Sequence, residues 1–457
     1  MPHATPGAAP GAVSPVVEAI ASVSPSELRR FLEKQRWFAG KGAAATAADG
    51  APAIAPPIVL PWGDGRLAIA CISVTVRGAS HIYQLPLAIR STPAADVPPS
   101  ALLATAIGDE NAVLFDAVYD PEFREGLAIA VARGASAVAA DGARWIAEPI
   151  PMAFGKVDSP RGERRYHGTR MGSAEQSNTS LVVDEELIIK LFRRLATGEH
   201  SDAEVATFLT QRTSFANTPA LRATMRIVQN ETASTTGIAA SYLSKSMDAW
   251  SYALARSASY FAAAPDREIA NAFLPDAKRL GAITRRLHDA LATHDDEPAF
   301  APAPAALADL DRWANGTRSS VADALDLLDE QLRAKRIVPA VAAAANALVA
   351  RRRDYLVWID ETAKRLGRDL GMRTRVHGDY HLGQVLRTTD DDFMIIDFEG
   401  EPSKPLEERR AKTSPLRDVA GMLRSIDYAA ATLAVSVEGK IDTSTREIRA
   451  GRWDRDV

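Results

Sequence analysis

Short apolar runs separated by turn residues dominate the first third of the chain. Runs of this kind are typical of β-strands that end at Gly, Pro or Asp. They predict strands at 67–76, 82–89 and 112–118. Just before them, Ser24-Pro25-Ser26-Glu27 is a capping box with Pro at the first helical position, which predicts a short helix. We therefore expect a small β-rich unit at residues 25–150.

A second β pattern follows. Two apolar runs at 179–183 and 187–192 are joined by three acidic residues, which predicts a hairpin. A loop of small residues, 172–178, precedes the hairpin, and a second capping box, Ser201-Asp202-Ala203-Glu204, opens a helix after it. The order of loop, strand, strand and helix predicts a second unit at residues 151–250.

Helical periodicity dominates the rest of the chain, residues 251–457, with apolar positions such as Leu280, Ile283 and Leu287. A β-like island interrupts it at 373–397. After the island, a helix is predicted from Pro415. Its apolar residues Leu416, Val419, Ala420 and Leu423 are expected to face the core, and its charged residues to lie on other sides of the helix. The whole pattern predicts an α+β protein with a mostly helical C-terminal part.

Composition and charge narrow the class of protein. The chain has 54 Lys and Arg against 58 Asp and Glu, a net charge of −4, so no basic field would attract nucleic acid or anionic lipid. Residues 1–24 are rich in Ala, Pro and Gly without the basic region of a secretory signal, which predicts a disordered tail. No run of 18 apolar residues occurs. We expect a soluble, cytoplasmic protein that binds neither nucleic acid nor membrane.

The β-like island carries acids in a pattern that suits phosphoryl transfer. It reads His377-Gly-Asp-Tyr-His-Leu-Gly-Gln384 and then Ile395-Ile-Asp-Phe-Glu399, with two acids at the ends of adjacent strands. In kinases, a metal-binding amide lies five residues after the catalytic Asp, and a second acid follows the next hairpin. Gln384 is five residues after Asp379, and Asp397 follows the turn, so ATP and Mg²⁺ are the predicted cofactors.

Residues upstream of the island fit the same chemistry. Lys190 lies in the second strand of the hairpin and Glu204 in the following helix, where a Lys–Glu pair would position nucleotide phosphates. The loop before the hairpin lacks the G-x-x-x-x-G-K-[ST] pattern, so backbone amides and the hydroxyls of Ser177 and Thr179 would have to contact phosphate. Glu204 is also explained by its capping box alone.

A different chemistry remains open for the same island. His377, Asp379 and His381 alternate along the sequence, and His and carboxylate clusters of this kind hold hydrolytic metals. This alternative would make the chain a metallohydrolase.

Several longer motifs stand out along the chain. They are Gln35-Arg-Trp-Phe-Ala-Gly-Lys41, Glu175-Gln-Ser-Asn-Thr-Ser180, Ile189-Lys-Leu-Phe-Arg-Arg194, His377-Gly-Asp-Tyr-His-Leu-Gly-Gln-Val-Leu-Arg387, Ile396-Asp-Phe-Glu-Gly-Glu-Pro402, Pro405-Leu-Glu-Glu-Arg-Arg410 and Ser414-Pro-Leu-Arg-Asp-Val-Ala-Gly-Met-Leu-Arg-Ser425 with Asp427-Tyr428. Together they resemble the motifs of bacterial maltokinase, a family related to kinases of the aminoglycoside phosphotransferase type. The resemblance spans residues 25–435.

The resemblance implies a bilobal fold like that of eukaryotic protein kinases, with a β-rich N-terminal cap subdomain at 25–150, an N-lobe at 151–250 and a C-lobe at 251–457. It implies ATP-dependent phosphorylation of maltose to maltose 1-phosphate, which feeds α-glucan (glycogen) synthesis from trehalose, and a trehalose synthase as partner or fusion.

The resemblance also assigns roles to individual residues. Asp379 is the catalytic base, while Gln384, Asp397 and Glu399 serve the metal. Lys190, Glu204 and the loop residues Ser177, Asn178 and Thr179 contact the nucleotide, and the sugar-site candidates are His377, Arg417, Asp418 and Tyr428.

The chain departs from the family at its C-terminus. Maltokinases continue after the last predicted helix through further helices that complete the sugar pocket, whereas this sequence ends at Val457. We therefore expect a truncated C-lobe. Two alternatives follow: a related kinase for another sugar or amino sugar such as glucosamine, or a non-catalytic nucleotide-binding partner of trehalose synthase.

Overall fold

The computed structural model describes residues 14–39, 50–107, 111–151, 166, 168–172, 177–263, 271–293, 296–366 and 370–436. Over these ranges, two seven-stranded antiparallel sheets precede a mostly helical part that carries two small sheets. The α+β, bilobal class predicted from the sequence is confirmed. Within the described residues, no helix combines the length and the apolar character needed to cross a bilayer.

The elements are numbered along the chain. The strands are β1 (Ala53–Ile54), β2 (Ile58–Val59), β3 (Leu67–Val76), β4 (Ala79–Arg90), β5 (Leu102–Ile107), β6 (Ala112–Asp116), β7 (Ala135–Val138), β8 (Arg144–Pro149), β9 (Thr169–Met171), β10 (Asn178–Val183), β11 (Leu187–Phe192), β12 (Arg194–Leu195), β13 (Leu221–Gln229), β14 (Thr232–Ser241), β15 (Met247–Asp248), β16 (Ala303–Pro304), β17 (Met372–Arg373), β18 (Val385–Arg387) and β19 (Phe393–Ile395). The α-helices are α1 (Pro15–Ala21), α2 (Pro25–Lys34), α3 (Pro121–Arg133), α4 (Ser201–Arg212), α5 (Ala249–Ala262), α6 (Leu274–Ala290), α7 (Leu307–Arg333), α8 (Pro339–Ala350), α9 (Arg352–Leu366), α10 (Leu406–Arg410) and α11 (Leu416–Ser436).

The first sheet has the order β1-β3-β4-β6-β5, with β2 beside β3 and β12 beside β4. Helix α2 packs on it and begins with the predicted capping box, since Ser24 Oγ accepts the Glu27 amide hydrogen and the Glu27 carboxylate accepts that of Ser24. Phe31 and Leu32 of this helix are buried in one core with residues of β3 and β4.

The predicted tail contains a helix instead. Residues 1–13 lie outside the described residues, but α1 covers 15–21 and packs against β3 and β4. Val16, Ala19 and Ile20 are buried, at the i, i+3, i+4 spacing of one helix face. The prediction was wrong for 14–24 because the Ala and Pro content hid this short apolar stripe.

The sequence pattern also missed helix α3. This helix has Gly126 in its middle, and glycine is a poor helix former. In the structure this glycine packs directly on the Trp62 indole, where a Cβ would collide with the ring. Close packing of the helix on the sheet therefore explains the glycine.

The second sheet has the order β7-β8-β13-β14-β11-β10-β9. Its β10–β11 hairpin matches the predicted one, and Asp184 and Glu185 form the turn with positive φ angles of 49° and 54°. The strands β7 and β8, which precede residue 150, pair within this sheet. The boundary between cap and N-lobe at residue 150 remains a prediction.

The helical part encloses a small antiparallel sheet, β15-β18-β19. Helices α5, α6 and α11 share one buried core with the β18–β19 hairpin, through residues such as Phe261, Leu287, Phe393 and Ile426. This core supports the loops that carry Asp379 and Asp397.

Helix α11 faces the core with the side opposite to the predicted one. Leu416 and Leu423 are 69% and 52% exposed, and with Val419 they line an open cavity of about 730 Å³ against α6. Met422 and Ile426 face inward, and Asp418 is only 1% exposed. The prediction failed because the Asp418 carboxylate binds backbone amides inside the protein, which fixes the rotation of the helix.

Candidate functional site

Four charged side chains from three separate elements meet where the second sheet faces the helical part. Lys190 on β11 is buried, and its Nζ lies 2.6 Å from Asp397 Oδ1 and 3.4 Å from Asp202 Oδ2, and also contacts Glu399. Asp202 lies in the first turn of α4, whereas the other two acids follow the β18–β19 hairpin. Three carboxylates thus contact one lysine. The excess negative charge of this cluster could bind a cation.

Backbone geometry directs Asp397 into this cluster. Its φ angle is 63°, a left-handed conformation that is uncommon outside glycine and often marks functional loops. Ile396, before it, donates its amide hydrogen to Gln384 O at 3.0 Å, and Phe398, after it, donates to Asp202 Oδ1 at 3.0 Å. The conformation is therefore fixed from both sides.

The loop with Asp379 is held from beneath by Asp418. The two carboxylate oxygens of Asp418 accept the amide hydrogens of His377 and Gly378, both at 2.9 Å, and one of them also lies 2.9 Å from His288 Nε2. Burial would raise the pKa of Asp418, but hydrogen bonds from His288 and Gly378 and the charge of His377 outweigh it and hold the pKa below its usual value. Asp418 therefore stays ionised and fixes the loop immediately before Asp379.

His377 completes the support of the two loops. Its ring is buried between Tyr380 and Phe398, and Nε2 lies 2.9 Å from Ile396 O, next to Asp397. The Asp379 carboxylate is partly exposed, and its charge and that of Asp397 both act on His381. The two loops that carry the acids predicted to act together are thus in contact, through His377 and Ile396.

The carboxylates can hold a divalent cation. One oxygen from each of Asp202, Asp397 and Glu399 lies within 4.8 Å of the others, and carboxylate oxygens are the ligands that Mg²⁺ prefers. Asp397 and Glu399 belong to the predicted metal set, and Asp202 was not predicted. Burial raises the pKa of Asp202 to about 7, against the opposing charge of Lys190.

The predicted nucleotide loop is described only at its ends, because residues 173–176 lie outside the described residues. Asn178 Nδ2 donates to Glu399 Oε1 at 2.7 Å and to Ser177 Oγ at 3.1 Å, which places the end of the loop beside the acidic cluster. Thr179 does not fit its predicted role, because its hydroxyl is buried and accepts a hydrogen bond from Arg193 Nε at 2.8 Å.

Glu204 does not form the predicted pair with Lys190. Its carboxylate binds Arg375 at 2.7 Å and Arg410 at 2.7 Å, both from the helical part. The expected capping box is also absent, because His200 is the N-cap and Ser201 begins the helix. Residues two apart on a helix point in nearly opposite directions, so when Asp202 faces Lys190, Glu204 cannot.

The four predicted sugar-site residues separate into different environments. His377 and Asp418 are buried and support the loop, so they do not line a sugar pocket. Arg417 forms an exposed ion pair with Glu401 at 2.8 Å. Tyr428 is 64% exposed and lines a cleft of about 500 Å³ beside the Asp379 loop. The cleft is also lined by Trp250, His381, Gly383, Gly421, Arg424 and Ser425.

The buried N-cap His200 gives the site region a pH-dependent stability. Burial lowers the pKa of His200 from 6.5 to about 4, helped by Arg409 and Lys190 against the charge of Glu399. The unfolded chain binds a proton below pH 6.5 and the folded chain does not, so stability falls as the pH drops toward 4, by about 3 kcal/mol from this group.

We expect His200→Asn, which keeps an N-cap acceptor, to lose this part of the pH dependence. Urea unfolding at about pH 7 and about pH 5 should show a smaller difference in the variant than in the wild type. An equal difference in both proteins would contradict a neutral buried His200.

Known proteins resemble this chain in sequence and in fold. The family model of the maltokinase N-terminal cap domain matches residues 31–120. A glucosamine kinase from Streptacidiphilus jiangxiensis is 28% identical over 288 residues, which are 61% of this chain and 58% of that protein. A glucosamine kinase from Mycolicibacterium smegmatis is 26% identical over 265 residues, 58% of this chain and 59% of that protein. The matches thus span less than two thirds of the length of these curated relatives.

Solved structures show the same fold. The structure of a glucosamine kinase in complex with glucosamine, ADP and inorganic phosphate matches 97% of this chain and 86% of its own, with a TM-score of 0.57 and 22% identity. A second crystal form of a glucosamine kinase gives a TM-score of 0.59. The chain thus matches the maltokinase N-terminal cap domain over residues 31–120, and it has the bilobal fold of these kinases, as the resemblance of its motifs implied.

Proposed function

We propose that this protein is an ATP-dependent sugar kinase that phosphorylates maltose at its anomeric hydroxyl. The observation that carries the proposal is the meeting of Lys190, Asp397 and Glu399 next to a fixed loop that presents Asp379. Kinases use such an arrangement to position a nucleotide and a hydroxyl acceptor. The cap-domain match supports maltose as the acceptor.

Each residue then has a separate task. Asp379 accepts the proton of the attacking sugar hydroxyl, and Lys190 contacts the nucleotide phosphates once its present acidic partners take up the metal. Asp397 and Glu399, with Gln384, would hold Mg²⁺. When bound, that ion supplies positive charge against the phosphates. Asp418 and His377 act indirectly, because they hold the loop in place.

The cleft beside the loop is the proposed sugar site. Trp250 and Tyr428 offer aromatic faces, and His381 and Gly383 connect the cleft to the loop of Asp379. Aromatic faces pack well on the apolar faces of sugar rings, while Arg424 and Ser425 supply polar contacts for hydroxyls.

A glucosamine kinase is the second candidate, because both curated relatives carry that name. The composition of the cleft favours a neutral sugar instead. The described residues that line it include His381 and Arg424 but no carboxylate. An ammonium group bound there would lack an opposite charge.

The product would be maltose 1-phosphate, an activated sugar for α-glucan (glycogen) synthesis. A trehalose synthase that makes maltose from trehalose is the proposed partner. Co-elution of the two purified proteins would support this pairing.

Release of ADP, followed with Mg-ATP and maltose, glucose or glucosamine in parallel, tests the proposal. We expect turnover that depends on maltose and is absent from Asp397→Ala, which serves as the blank. Turnover with glucosamine alone would favour the second candidate. Mg-ATP binding without turnover on any acceptor would contradict both and indicate a non-catalytic nucleotide-binding protein.

A further inference from the structure

Arg193 stands where the chain leaves the second sheet and enters the first. Strand β11 ends at Phe192 in the second sheet, and β12 begins at Arg194, which pairs with Tyr83 of β4. The Arg193 carbonyl accepts the Gln84 amide hydrogen at 2.9 Å. One continuous segment therefore belongs to both sheets, with Arg193 at the junction.

The side chain of Arg193 joins the same two units a second time. It is 1% exposed, and Nη2 donates to Asp116 Oδ2 of β6 at 2.7 Å, while Nε donates to Thr179 Oγ1 of β10 at 2.8 Å. Its guanidinium also lies over the Trp37 ring, 5.3 Å from the centroid. The Arg193 guanidinium is therefore bound from two sides. Asp116 and Trp37 belong to residues 31–120, which match the cap domain, and Thr179 belongs to the β10–β11 hairpin.

Thr179 connects the junction at Arg193 to the residues beside the acidic cluster. It directly follows Asn178, whose amide binds Glu399, and Ser177, at the end of the predicted nucleotide loop. Lys190 lies three residues before Arg193 on β11. A shift of Arg193 would therefore move Thr179, Asn178 and the strand that carries Lys190 together.

Gln84 strengthens the connection. Its side-chain amide donates to Phe192 O at 2.8 Å and also to Thr236 O of β14, so it bridges two strands of the second sheet from β4 of the first. The two sheets are thus linked by buried, directional hydrogen bonds, which tolerate little displacement.

We infer that Asp116 and Arg193 are positioning residues through which the cap sets the nucleotide affinity of the site that holds Asn178 and Lys190. This inference rests on the proposed function, since it assumes that Asn178 and Lys190 lie at an ATP site. Loss of the Asp116 charge would leave a buried guanidinium without its partner, and Arg193 would then release Thr179 to reorganise.

The test compares Asp116→Asn with Asp120→Asn. Asp120 is also a buried acid, but its ion pair is with Arg90 at 2.9 Å, away from the hairpin. We expect Asp116→Asn to raise the KM for ATP and the Kd for MgADP about tenfold, with the KM for sugar and the kcat at saturating ATP within about twofold. Asp120→Asn should leave both nucleotide constants at their wild-type values.

A double-mutant cycle with Thr179→Val separates this role from a general loss of stability. If Asp116 acts through Arg193 on Thr179, the two substitutions together should raise the Kd for MgADP no more than either alone. Additive effects, or an unchanged Kd in folded Asp116→Asn, would overturn the inference. Should Asp116→Asn not fold, Arg193→Lys replaces it, because it keeps the charge but lacks the second nitrogen for Thr179.

Calorimetry of MgADP binding tests the inference without requiring turnover of any sugar. A wild-type protein that binds MgADP but phosphorylates no sugar would refute the proposed function. The inference would still be tested in that case, by the effect of Asp116→Asn on the Kd for MgADP.

Discussion

Replacing Asp379 with Asn should lower kcat for maltose phosphorylation by about 10²–10⁴-fold, because the sugar hydroxyl loses the group that accepts its proton. The loop should keep its shape, since it is fixed by Asp418 through the amides of His377 and Gly378, which the substitution does not touch. We therefore expect the KM for ATP and the thermal midpoint to stay close to those of the wild type.

Asp390→Asn is the matched control, because Asp390 is an exposed acid in the turn between β18 and β19. It should retain full turnover. A small loss of kcat in Asp379→Asn, comparable with that of Asp390→Asn, would remove Asp379 from the mechanism. A large loss accompanied by weaker MgADP binding would instead indicate a disturbed loop.

Local patterns predicted much of the fold because the relevant interactions are close in sequence. The predicted bounds of β3 and β11 match the structure, since a strand that is buried along most of its length reads as a mainly apolar run. The capping box at Ser24 is satisfied within four residues. The hairpin turn at Asp184 and Glu185 likewise joins two strands that are adjacent in sequence.

Features that depend on distant contacts were predicted poorly. The rotation of α11 is set by Asp418, whose partners lie about forty residues earlier at His377 and Gly378. Hydrophobic periodicity alone placed Leu416 and Leu423 inside, because it assigns every charged residue to the surface. A buried carboxylate with several donors reverses that preference, and only the tertiary structure supplies the donors.

The same reasoning applies to the site. The spacing of Asp379, Gln384 and Asp397 reflects a short connection between two loops, so the sequence alone could indicate it. The partner of Lys190 could not be chosen that way, because α4 offers two acids and the sequence does not show which side of the helix faces β11. The capping-box pattern drew attention to Glu204, and the structure places Asp202 at the lysine.

Asp202 and Glu204 should therefore respond differently to neutralisation. Asp202→Asn removes a charge beside Lys190 and leaves a group that can still accept the Phe398 amide hydrogen. We expect kcat/KM for ATP to fall by about 10–100-fold, about 1.4–2.7 kcal/mol of transition-state stabilisation, because Asp202 is a charge partner that orients Lys190. The free energy of unfolding should change little, because burial already raises the pKa of Asp202 to about 7.

Glu204→Gln should show the reverse pattern. Its carboxylate neutralises Arg375, which is 1% exposed, and also binds Arg410, so the substitution leaves a buried guanidinium without its charge partner. We expect the free energy of unfolding to fall by about 3–5 kcal/mol, with kcat/KM for ATP within a few-fold of the wild type below the melting range. Urea unfolding and initial rates on both variants measure the two effects. If Glu204→Gln instead lost nucleotide turnover while Asp202→Asn kept it, Glu204 would be the partner of Lys190 in the working enzyme, as its sequence position suggested.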